Sequence, residues 1–159
     1  MEFKQILIVE DQNDLLVTLE LSVERLGYEP ISVTSGDDAL GRLIRMQIDN
    51  APIDLIIYDT QVLGIIGAHP PSMAGMHFIE TMRQIKIPTP VLVLAGYGDG
   101  GVVDRLTQLG CKDFIEKPFT PDEVEQKVMR LLDETNPCEI PAQSLEFWTA
   151  ISDRARQPS

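Results

Sequence analysis

Residues 52–59 read PIDLIIYD, residues 4–11 read KQILIVED and residues 112–118 read KDFIEKP. Each is a short apolar run that ends in charge. Runs of this length, bounded by turns and separated by helical patterns, predict buried parallel strands. In open α/β sheets the functional crevice lies beyond the carboxyl ends of the strands. Glu10, Asp11, Asp59 and Lys117 are therefore expected to converge there.

The alternation extends along most of the chain. Strands are predicted at 4–10, 28–33, 53–58, 91–95 and 112–116. Between the first two, Leu15, Leu16, Leu19, Val23 and Leu26 line one face of a helix over 12–26, which Gly27 stops. Ser35 is placed to cap a second helix bearing Ala39, Leu40, Leu43 and Ile44. Gly75 opens MHFIETMRQI, and Asp99 begins a helix that Gly110 ends. Thr120 caps TPDEVEQKVMRLLDE, where Asp122 and Glu123 suit the positive end of a helix. Strands alternating with single helices imply a doubly wound parallel sheet with right-handed crossovers and helices on both faces.

Composition narrows the function classes. The chain has 159 residues, a formal charge of −12 and thirteen scattered basic residues, which opposes an electrostatic grip on nucleic acid. No apolar run approaches the ~20 residues of a membrane helix, and the start lacks a signal-peptide layout. Cys111 and Cys138 are the only cysteines, which suits a reducing cytosol and a cytoplasmic location.

Three carboxylates within a few Å of one another repel, and a hard dication relieves them. Oxygen-only ligands suit Mg²⁺ better than zinc. Glu10, Asp11 and Asp59 at −3 are neutralised by one Mg²⁺ and Lys117. These residues, with ILIVED, LIIYD, PVLVLAGYGD and GCKDFIEKPF, resemble the receiver domain of two-component response regulators over about residues 4–135. The resemblance implies a flavodoxin-like five-stranded sheet in the order 2-1-3-4-5. It also implies Asp59 as phosphoacceptor, with Glu10, Asp11, Asp59 and the backbone carbonyl of Gln61 around Mg²⁺. Lys117 would contact the phosphoryl group, beside a cis bond to Pro118, and the Gly96 N–H would contact the phosphate. The expected partners are a histidine kinase or phosphotransfer protein and a downstream protein effector. The face formed by helix 99–109, strand 112–116 and helix 121–135 is one that receivers commonly use to dimerise. Such a domain is a signalling phosphoacceptor whose only chemistry is its own phosphorylation and dephosphorylation.

Two departures from the family stand out. Where a Thr or Ser hydroxyl normally ends the fourth strand, this chain has Ala95. Altered coupling to the aromatic switch position, Phe114, is the expectation. An insertion of about eight residues falls within 63–74, because His69-Pro70-Pro71 cannot begin a helix and Gly75 is the first residue to precede a helical pattern. A domain over 1–135 is thus followed by an extension, 136–159, in which Leu145, Trp148 and Ile151 form a stripe on one short helix. His69 and His77 lack companion ligands at useful spacing, so neither is assigned a metal. The competing reading is a degenerate receiver that binds partners without phosphorylation. A magnesium-dependent hydrolase would want a second acid two residues after Asp59, where Gln61 stands.

Overall fold

In the computed structural model, residues 3–62, 74–96, 100–111 and 113–133 are described. Five strands and five helices alternate along them. They are β1 (Gln5–Val9), α1 (Asn13–Arg25), β2 (Glu29–Val33), α2 (Gly36–Ile48), β3 (Leu55–Asp59), α3 (Ala74–Gln84), β4 (Val91–Ala95), α4 (Gly100–Gln108), β5 (Asp113–Glu116) and α5 (Pro121–Leu132). All strand pairings are parallel, in the order β2-β1-β3-β4-β5.

The apolar runs dictate this layering. β3 and β4 are buried at every position, as strands covered on both faces must be. Side chains alternate across the sheet, so the core divides into two clusters. Leu7, Val9, Ile56, Tyr58, Val93, Ala95 and Phe114 meet α2, α3 and α4 on one face. Ile6, Ile8, Leu55, Ile57, Leu92, Leu94 and Ile115 meet α1 and α5 on the other. Each fully buried Leu, Ile or Val contributes ~1.5–3 kcal/mol relative to exposure. β2 lies at the sheet edge with Glu29 exposed and the next three residues only partly covered, and Pro30 is tolerated there.

The punctuation works as the residue types require. The Ser35 and Thr120 side chains accept from the backbone N–H of Asp38 and Glu123, satisfying orphan donors at the helix starts. Gly27 (φ 85°) and Gly110 (φ 91°) end their helices in the left-handed region.

Boundaries differ in detail. β1 stops at Val9, one residue early, because Glu10 folds its side chain onto the following turn. β3 starts later, at Leu55, and includes Asp59; α3 begins at Ala74; α5 ends at Leu132 rather than 135. The 63–73 part of the insertion, Asp99 and the 136–159 extension lie outside the described residues.

Candidate functional site

The crevice forms where β1, β3 and β5 end. β1 and β3 pair directly, with Val9 opposite Tyr58, so Glu10 and Asp59 follow side by side. β4 separates β3 from β5, and its Ala95 pairs with Glu116, which brings Lys117 level with the end of β4. The Lys117 N–H then donates to the Ala95 carbonyl at 2.9 Å, continuing the ladder. The Lys117–Pro118 peptide bond is cis.

Asp59 is 1% exposed, and its charge is held from two sides. Lys117 Nζ donates to Oδ2 at 2.5 Å, and the Gln61 N–H donates to Oδ1 at 2.9 Å. Glu10 is fully buried. Its Oε1 accepts the N–H groups of Asp11 and Gln12, each at 3.0 Å, whereas its Oε2 is buried with no donor. Asp59 is its carboxyl neighbour, and two acceptors can bond to each other only if one carries a proton. Burial, and then that pairing with Asp59, push the Glu10 carboxyl up to about 8, against the pull of the Gln12 N–H and of Lys117.

The expected set is thus only partly assembled. Glu10, Asp59 and Lys117 come together, while the Asp11 residue is exposed. Among the described residues no three His, Cys, Asp or Glu side chains stand as a ready metal cage. The donors nevertheless fit Mg²⁺ chemically: they are all oxygen, and Glu10 Oε2 is a buried acceptor lacking a partner. Gln61 makes its visible contact with Asp59 through its N–H, not through the carbonyl expected to face a metal.

Ala95 ends β4 at 2% exposure and offers no hydroxyl; Gly96 follows, half-buried. Phe114 is packed inward at 1% exposure, in the same cluster as Ala95. Pro118 is exposed. Sequence reading passed over two neighbours of Asp59. The Tyr58 ring stacks on Phe78 at 4.6 Å, with its hydroxyl buried and unpartnered. Thr60 is buried and donates from Oγ1 to the Leu94 carbonyl at 3.2 Å. A tyrosine within an aliphatic strand was the available signal for the first; strand alternation would have exposed the second. No helix among the described residues is long and apolar enough to cross a membrane.

Known proteins share this arrangement. The family model described as "Response regulator receiver domain" matches residues 6–129. The chain is 29% identical over 129 residues to the alkaline phosphatase synthesis transcriptional regulatory protein PhoP of Bacillus subtilis, covering 81% of this chain and 48% of that protein. It is 32% identical over 130 residues to the transcriptional regulatory protein BasR of Escherichia coli, covering 80% of this chain and 52% of that protein. The chain thus spans about half the length of these curated relatives. Among solved structures, the receiver domain of NtrX from Brucella abortus superposes with a TM-score of 0.65 at 25% identity, covering 81% of this chain and 98% of that one. With the strand order, the acid pair after β1 and the family match all in agreement, the chain belongs to the receiver-domain family of two-component response regulators.

Proposed function

We propose that Asp59 accepts a phosphoryl group, and that the chain passes the signal on through protein contacts. One observation carries this reading. A buried aspartate at the end of the central strand is gripped by a lysine and a backbone N–H, beside a second carboxylate with an unpartnered oxygen. Phosphoryl transfer asks a protein for positioning and charge neutralisation rather than covalent work, and this set supplies both. An Asp59 oxygen attacks phosphorus in line as the bond from phosphorus to the donor's imidazole nitrogen breaks. The phosphoryl group ends on Asp59 as an acyl phosphate, and the imidazole leaves with the bonding pair. Lys117, already within bonding distance of Asp59, turns to the transferred oxygens.

Glu10, Asp11 and Asp59, with the Gln61 carbonyl, are the groups that would hold Mg²⁺. Bound there, the ion supplies positive charge against the transferring oxygens. The fitting donor is a histidine kinase or phosphotransfer protein, and the fitting recipient of the signal is a protein effector, in the cytoplasm. A charge of −12 supports an output without direct nucleic-acid contact by this chain. Dimerisation through α4, β5 and α5 is the corresponding assembly. The chain acts as a switch rather than as a turnover enzyme.

Ala95 favours a second reading, a receiver whose partner binding does not depend on phosphate. A hydrogen bond to a charged group contributes ~1.5–3 kcal/mol, while moving a switch from 1:99 to 99:1 takes about 5.5 kcal/mol. Losing one hydroxyl therefore weakens the readout more than the transfer. Intact-mass measurement after incubation with acetyl phosphate and Mg²⁺ separates the two readings. A single phosphoryl adduct on the wild type, lost in Asp59→Asn, is the expected result; an unlabelled wild type leaves the interaction module.

A further inference from the structure

We propose that the C-terminal extension folds back on its own chain and seats Leu145, Trp148 and Ile151 in a groove at the end of the sheet opposite the acidic crevice. The contact stands apart from the phosphoacceptor reading of Asp59 and gives a place to a segment which that reading leaves unused.

The groove opens where β1, β2 and β3 begin. Gln5 and Glu29 pair as the first residues of β1 and β2, and Asp54 immediately precedes β3. Phe3, Lys4, Glu29, Ala51, Pro52 and Asp54 line a cavity of about 440 Å³. Pockets that hold small, largely apolar bodies typically measure ~300–1,000 Å³. Phe3 and Ile48, 65% and 75% exposed, are the two most exposed large apolar residues among those described. The first is in the groove wall, and the second ends α2 three residues before Ala51. Facing this apolar surface are two carboxylates, each of which accepts from Gln5. Asp54 Oδ2 takes the backbone N–H at 2.8 Å, and Glu29 Oε2 takes the side-chain amide at 3.3 Å. A carboxylate has about four acceptor positions, so both keep room for another donor.

Where α5 ends decides the occupant. Lys4 Nζ donates to the Leu132 carbonyl at 3.2 Å, so the last turn of α5 is pinned to a wall of the groove. Leu145 comes twelve residues after Asp133. A flexible link of that length has an end-to-end distance of ~20 Å, ample for a groove beside its point of attachment. Such a tether gives an effective concentration on the order of 1 mM, so an intrinsic dissociation constant of ~0.1 mM already fills the groove about nine times in ten. A second copy at micromolar concentration competes at a disadvantage of about a thousandfold.

The chemistry of the segment matches the walls. Spacings of three residues put Leu145, Trp148 and Ile151 on one face of the expected helix. The two aliphatic residues suit Phe3 and Pro52. Trp148 is an apolar body with a single N–H donor, which needs an acceptor once buried. Glu29 and Asp54 supply one. Arg154 and Arg156, the only basic residues beyond Arg130, bring positive charge to the same acids.

Trp148 is the one tryptophan of the chain, so its fluorescence reads the contact directly. In the intact wild type its emission is expected to be blue-shifted, with acrylamide quenching severalfold below that of N-acetyltryptophanamide. Ala51→Arg puts bulk and charge at an exposed groove position and should red-shift the emission and raise quenching severalfold. Phe3→Ser should act in the same direction to a smaller degree. Should a groove variant fail to fold, amide resonances decide. Trp148→Ala, a change in the extension itself, should move the amides of Lys4, Glu29, Ala51 and Asp54 and leave those of Gly96 and Lys117 in place. Wild-type quenching equal to that of the free indole overturns the proposal. So do groove variants that leave Trp148 protected, or resonance changes centred elsewhere. Protection that appears only as protein concentration rises, with dimers in sedimentation, overturns it in favour of a second copy.

Discussion

Two aspartates in this fold are buried against lysines. The Asp59 and Lys117 side chains are 2% and 20% exposed, and those of Asp113 and Lys127 are 4% and 21%. Burial and pairing therefore do not tell them apart. What differs is the surroundings. Asp113 Oδ1 accepts from Lys127 at 2.8 Å and from the Phe114 N–H at 2.8 Å, tying the start of β5 to α5. Asp59 has Glu10 beside it, so two carboxylates share one lysine and one buried oxygen goes without a donor. A pair whose charge is closed holds a structure together. A pair crowded by a second carboxyl, one of whose oxygens lacks a donor, is prepared for a cation or an incoming group.

The largest expected contrast is all or none. Asp59→Asn should abolish phosphoryl labelling by acetyl phosphate while changing stability little, because it also relieves Glu10 of a neighbouring charge. Asp113→Asn should leave labelling in place. Its cost appears in stability: breaking the buried ion pair with Lys127 should lower the unfolding free energy by ~3 kcal/mol in urea denaturation. Reversed outcomes, with labelling lost at Asp113 and stability lost at Asp59, would erase the distinction.

The sheet and the approach of Glu10, Asp59 and Lys117 were legible because parallel strands buried on both faces read as unbroken apolar runs, whereas the strand order was implied only by the family resemblance. Ser35 and Thr120 were legible as caps because few residue types can satisfy a helix start. The hydrogen-bonding state of the site was not. That Glu10 turns back onto the N–H groups of Asp11 and Gln12, and that Gln61 meets Asp59 through its N–H, depends on loop geometry that residue type does not encode. Tyr58 and Thr60 flank the acceptor but face the other core layer, so a search for charges passed over them.

The crowded Glu10 carboxyl also predicts an unusual pH response. The Glu10 carboxyl stands at about 8 in the folded protein against an ordinary 4.5. Between those values the folded state keeps a proton that the unfolded chain has released. Stability without metal should therefore fall as pH rises through that window, then level off above it. One proton sets the limit at about 1.4 kcal/mol per pH unit. Urea unfolding of wild type and Glu10→Gln at matched pH isolates this contribution, since the variant lacks the titrating group. Added Mg²⁺ should oppose the loss on the alkaline side. A difference between the two proteins that stays flat from pH 5 to 8 would place Glu10 among ordinary carboxylates.

The smallest expected effect compares two orphaned oxygens. Glu10 Oε2 is buried in a carboxyl that neighbours Asp59, whereas the Tyr58 hydroxyl is buried on the face packed against α3, its ring stacked on Phe78. Burial, and then the charges of Asp59, Asp11 and Asp37, push the phenol's pKa upward, so it stays neutral and keeps a hydrogen it has nowhere to donate. Burying a hydroxyl without a partner costs ~1–3 kcal/mol, and deleting the oxygen while keeping the ring removes that cost. Tyr58→Phe should therefore raise the unfolding free energy by roughly 1 kcal/mol and leave beryllofluoride affinity unchanged. If the variant is instead weakened in both respects, the hydroxyl is serving the acidic crevice. The line between closed structure and open site would then have to be redrawn to include the residue just before Asp59.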